Sequence, residues 1–251
     1  MLLETDLVPF QVSSLPPGPW LVFAPHADDE TFGMGGALIL ARESEIPVRL
    51  VVLTDGALGG ADDAAAVTAV REAEARAVAA RLGVAALEFW REPDRGLARA
   101  PALVAKITAV LQQSLPATLF LPSPMEYHPD HRAAAWAVWQ AAGQTGFEGH
   151  LWSYEISTEG RINRLVDITR VAEEKRLLMV AYCSQVALND YPDKILGLNR
   201  ARTYSLSSEV RYAEGFFDFS EYRGRGFGDV IYETLAPYWQ QGIDNQGSGE
   251  E

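Results

Sequence analysis

The sequence predicts an α/β fold of the Rossmann-like kind, a mostly parallel sheet with helices on both faces. Short apolar runs alternate with longer helical stretches from Trp20 to Ala142. Those runs are continuous rather than alternating, as in strands buried on both sides. A chain of 251 residues that is 48% hydrophobic also has the material for a sizeable core.

Trp20 to Ala24 reads as the first strand, closed by Pro25, and Thr31 to Arg42 as the helix after it. Val48 to Thr54, β-branched and leucine-rich, is a second strand ending in the Asp55-Gly56 turn. Ala64 to Leu82 is an Ala-rich helix stopped by Gly83. Ala86 to Trp90 is a third strand, and Ala102 to Leu115 a helix with Pro101 at its start. Thr118 to Leu121 is a fourth strand, followed by a helix from Pro129 to Ala142 that Gly143 should stop. Beyond it, Leu151 to Ile156 and Leu165 to Ile168 read as strands, and Val171 to Tyr182 as a helix. No linker-like stretch interrupts the chain, so residues 1–240 are expected to form one domain. Residues 241–251, polar and Gly-rich, are expected to be a disordered tail.

The formal charge is -13, with only 21 scattered Lys and Arg, which argues against a nucleic-acid partner. No apolar run approaches the ~20 residues a membrane helix needs. Glu4 and Asp6 stand where a signal peptide would be basic. With a single cysteine, Cys183, an intrachain disulfide is excluded, and the thiol reads as a small buried hydrophobe. These features point to a cytoplasmic protein without membrane insertion; a homo-oligomer is compatible with them.

In open α/β sheets, ligands bind beyond the carboxyl ends of the strands. The first strand leads there into Pro25-His26-Ala27-Asp28-Asp29-Glu30, and the fourth into Tyr127-His128-Pro129-Asp130-His131. Three of the chain's four histidines lie in these segments. Imidazole and carboxylate together suit a zinc-type metal with one position left open. The supply exceeds three ligands, so acid–base work is the natural remainder. Spacing alone does not say which acid binds and which catalyses.

Ala24-Pro25-His26-Ala27-Asp28-Asp29-Glu30-Thr31 with Gly35-Gly36, and Tyr127 to His131, resemble the two motifs of the LmbE-like/PIG-L de-N-acetylases. Softer similarities are Thr54-Asp55-Gly56, Arg71 to Glu74 before Leu82-Gly83, and Lys175 through Gln185. The resemblance implies His26, Asp29 and His131 as zinc ligands, with iron(II) as the alternative metal. It implies Asp28 as general base, His128 as the protonated oxyanion and leaving-group partner, and Asp130 as the residue that orients His128. It implies Arg71, and less directly Asp94, as substrate contacts. The activity implied is removal of an N-acetyl group from an amino-sugar conjugate, releasing acetate and a free amine. One departure stands out: the family usually has Pro where Ala27 stands, which puts the rigidity of this loop in question.

Other readings compete. Two histidines and a carboxylate (His26, Asp28, His131) also compose the iron(II) site of non-haem oxygenases, usually found in all-β barrels. Gly33-Met34-Gly35-Gly36 follows the first strand where a nucleotide-binding loop would, without the G-x-G-x-x-G spacing. A catalytically inactive sugar-binding relative is a third. Trp90, Trp136, Trp139 and Trp152 could stack on a sugar, but core packing is the plainer expectation, with Trp136 and Trp139 on one packed helix face. His150, outside both motifs, reads as structural.

Overall fold

The computed structural model describes residues 11–61, 63–100 and 102–235. The predicted tail, 241–251, lies outside the described residues, as does Pro101. In chain order the elements are β1 (Gln11–Val12), β2 (Trp20–Ala24), α1 (Asp29–Glu43), β3 (Val48–Thr54), α2 (Ala64–Leu82), β4 (Ala86–Glu92), α3 (Leu103–Ser114), β5 (Thr118–Pro122), α4 (Pro129–Thr145), β6 (His150–Tyr154), β7 (Arg164–Asp167), α5 (Ala172–Val180), α6 (Cys183–Val186), α7 (Tyr191–Ala201), β8 (Ala213–Asp218) and α8 (Phe227–Leu235).

All eight strands join one sheet in the order β1-β7-β8-β6-β5-β2-β3-β4. Every pairing is parallel except those of β8 with β6 and β7. Alternate residues of β2 feed two cores. Trp20, Val22 and Ala24 pack with α1, α2 and α5 on one face, while Leu21 and Phe23 pack with α3, α4 and α8 on the other. From β2 the chain winds outward through β3 and β4, then crosses to β5 on the other side of β2. The carboxyl ends of β2 and β5 are therefore neighbours at the topological switch point, where α/β sheets bind ligands. No helix of the described residues is long and apolar enough to cross a membrane.

Several boundaries differ from expectation. α4 runs through Gly143 to Thr145, and the left-handed residue that ends it is Gly146 (φ 62°). The predicted helix 171–182 ends at Val180, two residues earlier. Cys183 is exposed rather than buried, at the first position of the short α6. Trp136 is 48% exposed although Trp139, on the same helix, is buried against Phe219 and Phe227.

α1 is broken at Met34, whose backbone (φ -135°, ψ 23°) leaves the helical region. A broken helix leaves new N–H groups without intrahelical acceptors. Glu214, from β8, supplies them: its Oε1 accepts from Gly36 N and its Oε2 from Ala37 N, both at 2.7 Å. Lys175 of α5 neutralises this fully buried carboxylate at 2.7 Å and donates to Asn199 Oδ1 at 2.9 Å. Gly36 is required by close approach, because a Cβ there would fall 2.5 Å from Ile168 Cγ2. The same contacts exclude the nucleotide-loop reading: the amides a phosphate would use are already held by a carboxylate.

Candidate metal centre

The first motif leaves β2 in a loop fixed from β3. Pro25 O accepts both the Thr54 backbone N–H (3.0 Å) and the Thr54 hydroxyl (2.8 Å). Ala27 is buried in the core beneath. The clamp from Thr54 thus fixes the loop without proline at position 27. Asp28 sits just before α1, and the second motif leaves β5 with His128 as the N-cap of α4.

The two loops bring three donor atoms together. His26 Nδ1 lies 3.1 Å from Asp29 Oδ2, His131 Nε2 lies 3.2 Å from the same oxygen, and the two nitrogens are 3.3 Å apart. Donors at zinc distances around a tetrahedral ion stand about 3.3 Å from one another. The remaining ring nitrogens are buried without a hydrogen bond and face carboxylates. His26 Nε2 is 3.5 Å from both Asp94 Oδ1 and Asp130 Oδ2, and His131 Nδ1 is 3.7 Å from Glu126 Oε2. A metal-binding histidine is oriented in this way by an acceptor behind it. The donor set fits a zinc-type ion, and Asp28 stands outside it: its Oδ2 accepts from Arg71 Nη2 at 3.1 Å.

Charge tells the same story. Burial alone would raise Asp29, but the charges and hydrogen bonds of His131 and His26 outweigh it and hold its carboxyl well below the usual carboxylate range. His26 and His131 are opposed by burial, yet their carboxylate neighbours win, and His131 rises to about 9. Without metal, the centre therefore keeps protons that a cation must displace. Apparent metal affinity should rise about tenfold per pH unit for each proton displaced; an affinity flat in pH would contradict this. The His131 proton also stabilises the metal-free fold below the ordinary histidine pKa, a contribution lost as pH rises through about 9.

Asp28 is raised, first by burial and then by Asp29, against the opposing charge of Arg71. His128 is lowered, mainly by burial and then by His26 and His131. Its Nδ1 accepts the Asp130 backbone N–H at 3.2 Å, so the neutral ring carries its proton on Nε2. The Asp130 carboxylate does not reach His128 through a hydrogen bond. It accepts from Arg95 N (2.6 Å) and Leu97 N (3.1 Å) and faces His26. Arg71 is buried, with Nη1 on Gly56 O (3.1 Å) and Nη2 on Asp28. Glu74, a plausible helix partner for Arg71, instead accepts from Ser184. Asp94 is held by Leu58 N (3.0 Å), and its pKa falls to about 2 because contact with His26 outweighs burial.

All eight predicted site residues meet around one hollow except that the Asp130 side chain lies just behind it. This cavity, of about 520 Å³, is also lined by Phe32, Leu58, Ile156, Leu188, Tyr191 and Ile195. None of the four tryptophans considered lines it. A hollow of similar volume between Trp139, Phe147, Leu151 and Arg223 contains no motif residue.

Glu126 escaped sequence reasoning. It is buried, accepts from the Ile156, Ser157 and Thr158 N–H groups and from the Ser157 hydroxyl, and stands behind His131. Nothing in Ser123-Pro124-Met125-Glu126 marks it, although its place just before the second motif could have drawn attention. Glu126→Gln should weaken zinc binding roughly 10–100-fold, measured by competition with a chelator; unchanged affinity would remove it from this role.

Residues 21–142 match the family model described as PIG-L: GlcNAc-PI de-N-acetylase. The chain is 28% identical over 220 residues to a diacetylchitobiose deacetylase of Thermococcus kodakarensis, covering 78% of this chain and 80% of the relative. The solved structure of the N,N'-diacetylchitobiose deacetylase from Pyrococcus horikoshii, complexed with its inhibitor MPG, is similar with a TM-score of 0.73 at 25% identity, over 84% of this chain and 88% of that one. The conserved protein TT1542 from Thermus thermophilus is similar with a TM-score of 0.69 at 28% identity, over 79% and 93%.

Proposed function

We propose, for a chain that belongs to the PIG-L family through residues 21–142, a zinc-dependent hydrolase that removes the N-acetyl group of a small amino-sugar conjugate. The observation that carries this reading is the convergence of His26 Nδ1, Asp29 Oδ2 and His131 Nε2 within 3.1–3.3 Å, with a second carboxylate, Asp28, beside them and outside the set. The deacetylase activity named for two relatives supports the substrate class.

When bound, zinc supplies Lewis acidity, bringing the pKa of a water down to about 7 and polarising an acyl carbonyl. Asp28 takes the proton of the attacking water. Burial makes it more basic than an ordinary aspartate, and the Arg71 charge opposes that rise. His128 donates from Nε2 to the developing oxyanion, its Nδ1 being committed to Asp130 N. Asp28, now protonated, returns the proton to the departing amine. This division departs from the protonated His128 that the family resemblance implies, because burial lowers His128 and its Nδ1 already accepts a bond.

The oxygenase reading requires Asp28 to join the two histidines, whereas Asp29 stands between them and Asp28 pairs with Arg71. The test is metal analysis of the purified protein, then acetate release from N-acetylglucosamine and N,N'-diacetylchitobiose with and without oxygen. Oxygen-independent acetate release from the zinc form is expected. A zinc-loaded protein that releases acetate from neither sugar, or only with oxygen, would overturn the proposal.

A further inference from the structure

The cavity over the metal centre contains two arginines with opposite situations. Arg71 is buried and spent on Asp28 and Gly56. Arg95 is exposed on the lining, and its guanidinium has no hydrogen-bond or ion-pair partner among the described residues. Other arginines nearby are engaged: Arg91 and Arg76 grip Glu72, and Arg132 caps the Glu126 and Tyr127 carbonyls.

The backbone of Arg95 is held for display. Its N–H donates to the buried Asp130 Oδ2 at 2.6 Å, the carboxylate that also faces His26. Its φ of 58° lies in the left-handed region, which costs a residue with a Cβ and favours glycine. A strained residue at a site, carrying an unused charged group, is a sign of function rather than of folding. Among the lining residues it is also the one exposed cation, in a chain of net charge -13. Asp28, Asp29 and Asp94 line the same cavity, so the exposed Arg95 guanidinium, and not the carboxylates, is what would accommodate an anion there.

We infer that Arg95 is a specificity-determining residue that binds a carboxylate or phosphate on the group attached to the amino sugar. The inference rests on the proposed amino-sugar reading. A planar guanidinium with all its donors free suits either anion through paired hydrogen bonds. The apolar wall of Phe32, Leu188, Tyr191 and Ile195 offers no competing cation.

The test measures binding to the zinc-loaded protein by calorimetry, so it does not depend on turnover. The probes are N-acetylglucosamine 1-phosphate, N-acetylmuramic acid and methyl N-acetylglucosaminide, which separate phosphate, carboxylate and neutral substituents. The parent protein should bind one of the anionic sugars about tenfold more tightly than the neutral one. Arg95→Gln should abolish that ratio, and Arg95→Lys should restore part of it. Arg95→Gly should also abolish it while raising Tm, through relief of the left-handed backbone. No anionic preference in the parent, or a preference that survives Arg95→Gln because the metal alone holds the anion, would overturn the inference. Absent acetate release with an intact, Arg95-dependent anion preference would instead count against the deacetylase reading alone.

Discussion

Asp28→Asn should lower kcat by about 10²–10⁴ while zinc content stays unchanged. The asparagine keeps the shape of the side chain and an oxygen for Arg71 Nη2, so the wall of the site should stand. What disappears is the group proposed to accept and return the proton. The proposed ligand atoms belong to His26, Asp29 and His131, and none of their mutual contacts passes through Asp28. Metal analysis beside steady-state kinetics reads both halves. A variant that kept full turnover, or one that lost its zinc, would place Asp28 in a different role.

Lys175→Met should cost about 3–5 kcal/mol, because Glu214 is left buried without its cation. For a chain of this size that corresponds to a fall in Tm of roughly 10 °C. The carboxylate has no exposure to water and already uses both oxygens on Gly36 N and Ala37 N, so it can find no replacement for the ammonium. Adding Glu214→Gln should recover part of the loss, since the amide carries no charge and still caps one N–H, a coupling that a double-mutant cycle measures. A single variant melting with the parent would show that the pair is not needed.

The parts of this fold that periodicity reveals were legible. β3 and α2 lie where the apolar run and the Ala-rich stretch put them, because burial on both faces and helix propensity each leave a local signature. β8 was not legible. Its Ala-Glu-Gly-Phe-Phe-Asp carries a charge and a glycine at interior positions, and the reason is tertiary: Glu214 serves a helix break 178 positions away. The break itself hides for the same reason, since Gly35-Gly36 reads equally well as a flexible turn or as close packing. α7 escaped as well, although Asp190 caps it and Pro192 opens it.

The candidate site was legible in composition and location because strand ends converge by topology. The side-chain roles were less so. That Asp130 turns its carboxylate to His26 and offers His128 only its backbone N–H, and that Glu126 stands behind His131, depends on loop geometry that spacing does not encode.

The break in α1 has a bearing on modularity. The helix that begins with Asp29 is completed by Glu214 and Lys175, both beyond the stretch matched by the family model, residues 21–142. That stretch holds every proposed metal ligand and acid–base group, yet it does not hold the means of closing its own first helix. The recognisable half of the sequence and the autonomous unit of folding are therefore different objects. A chain ending after α4 would carry the proposed centre without the scaffold, and any transplantation of it would have to bring α5 and β8 along.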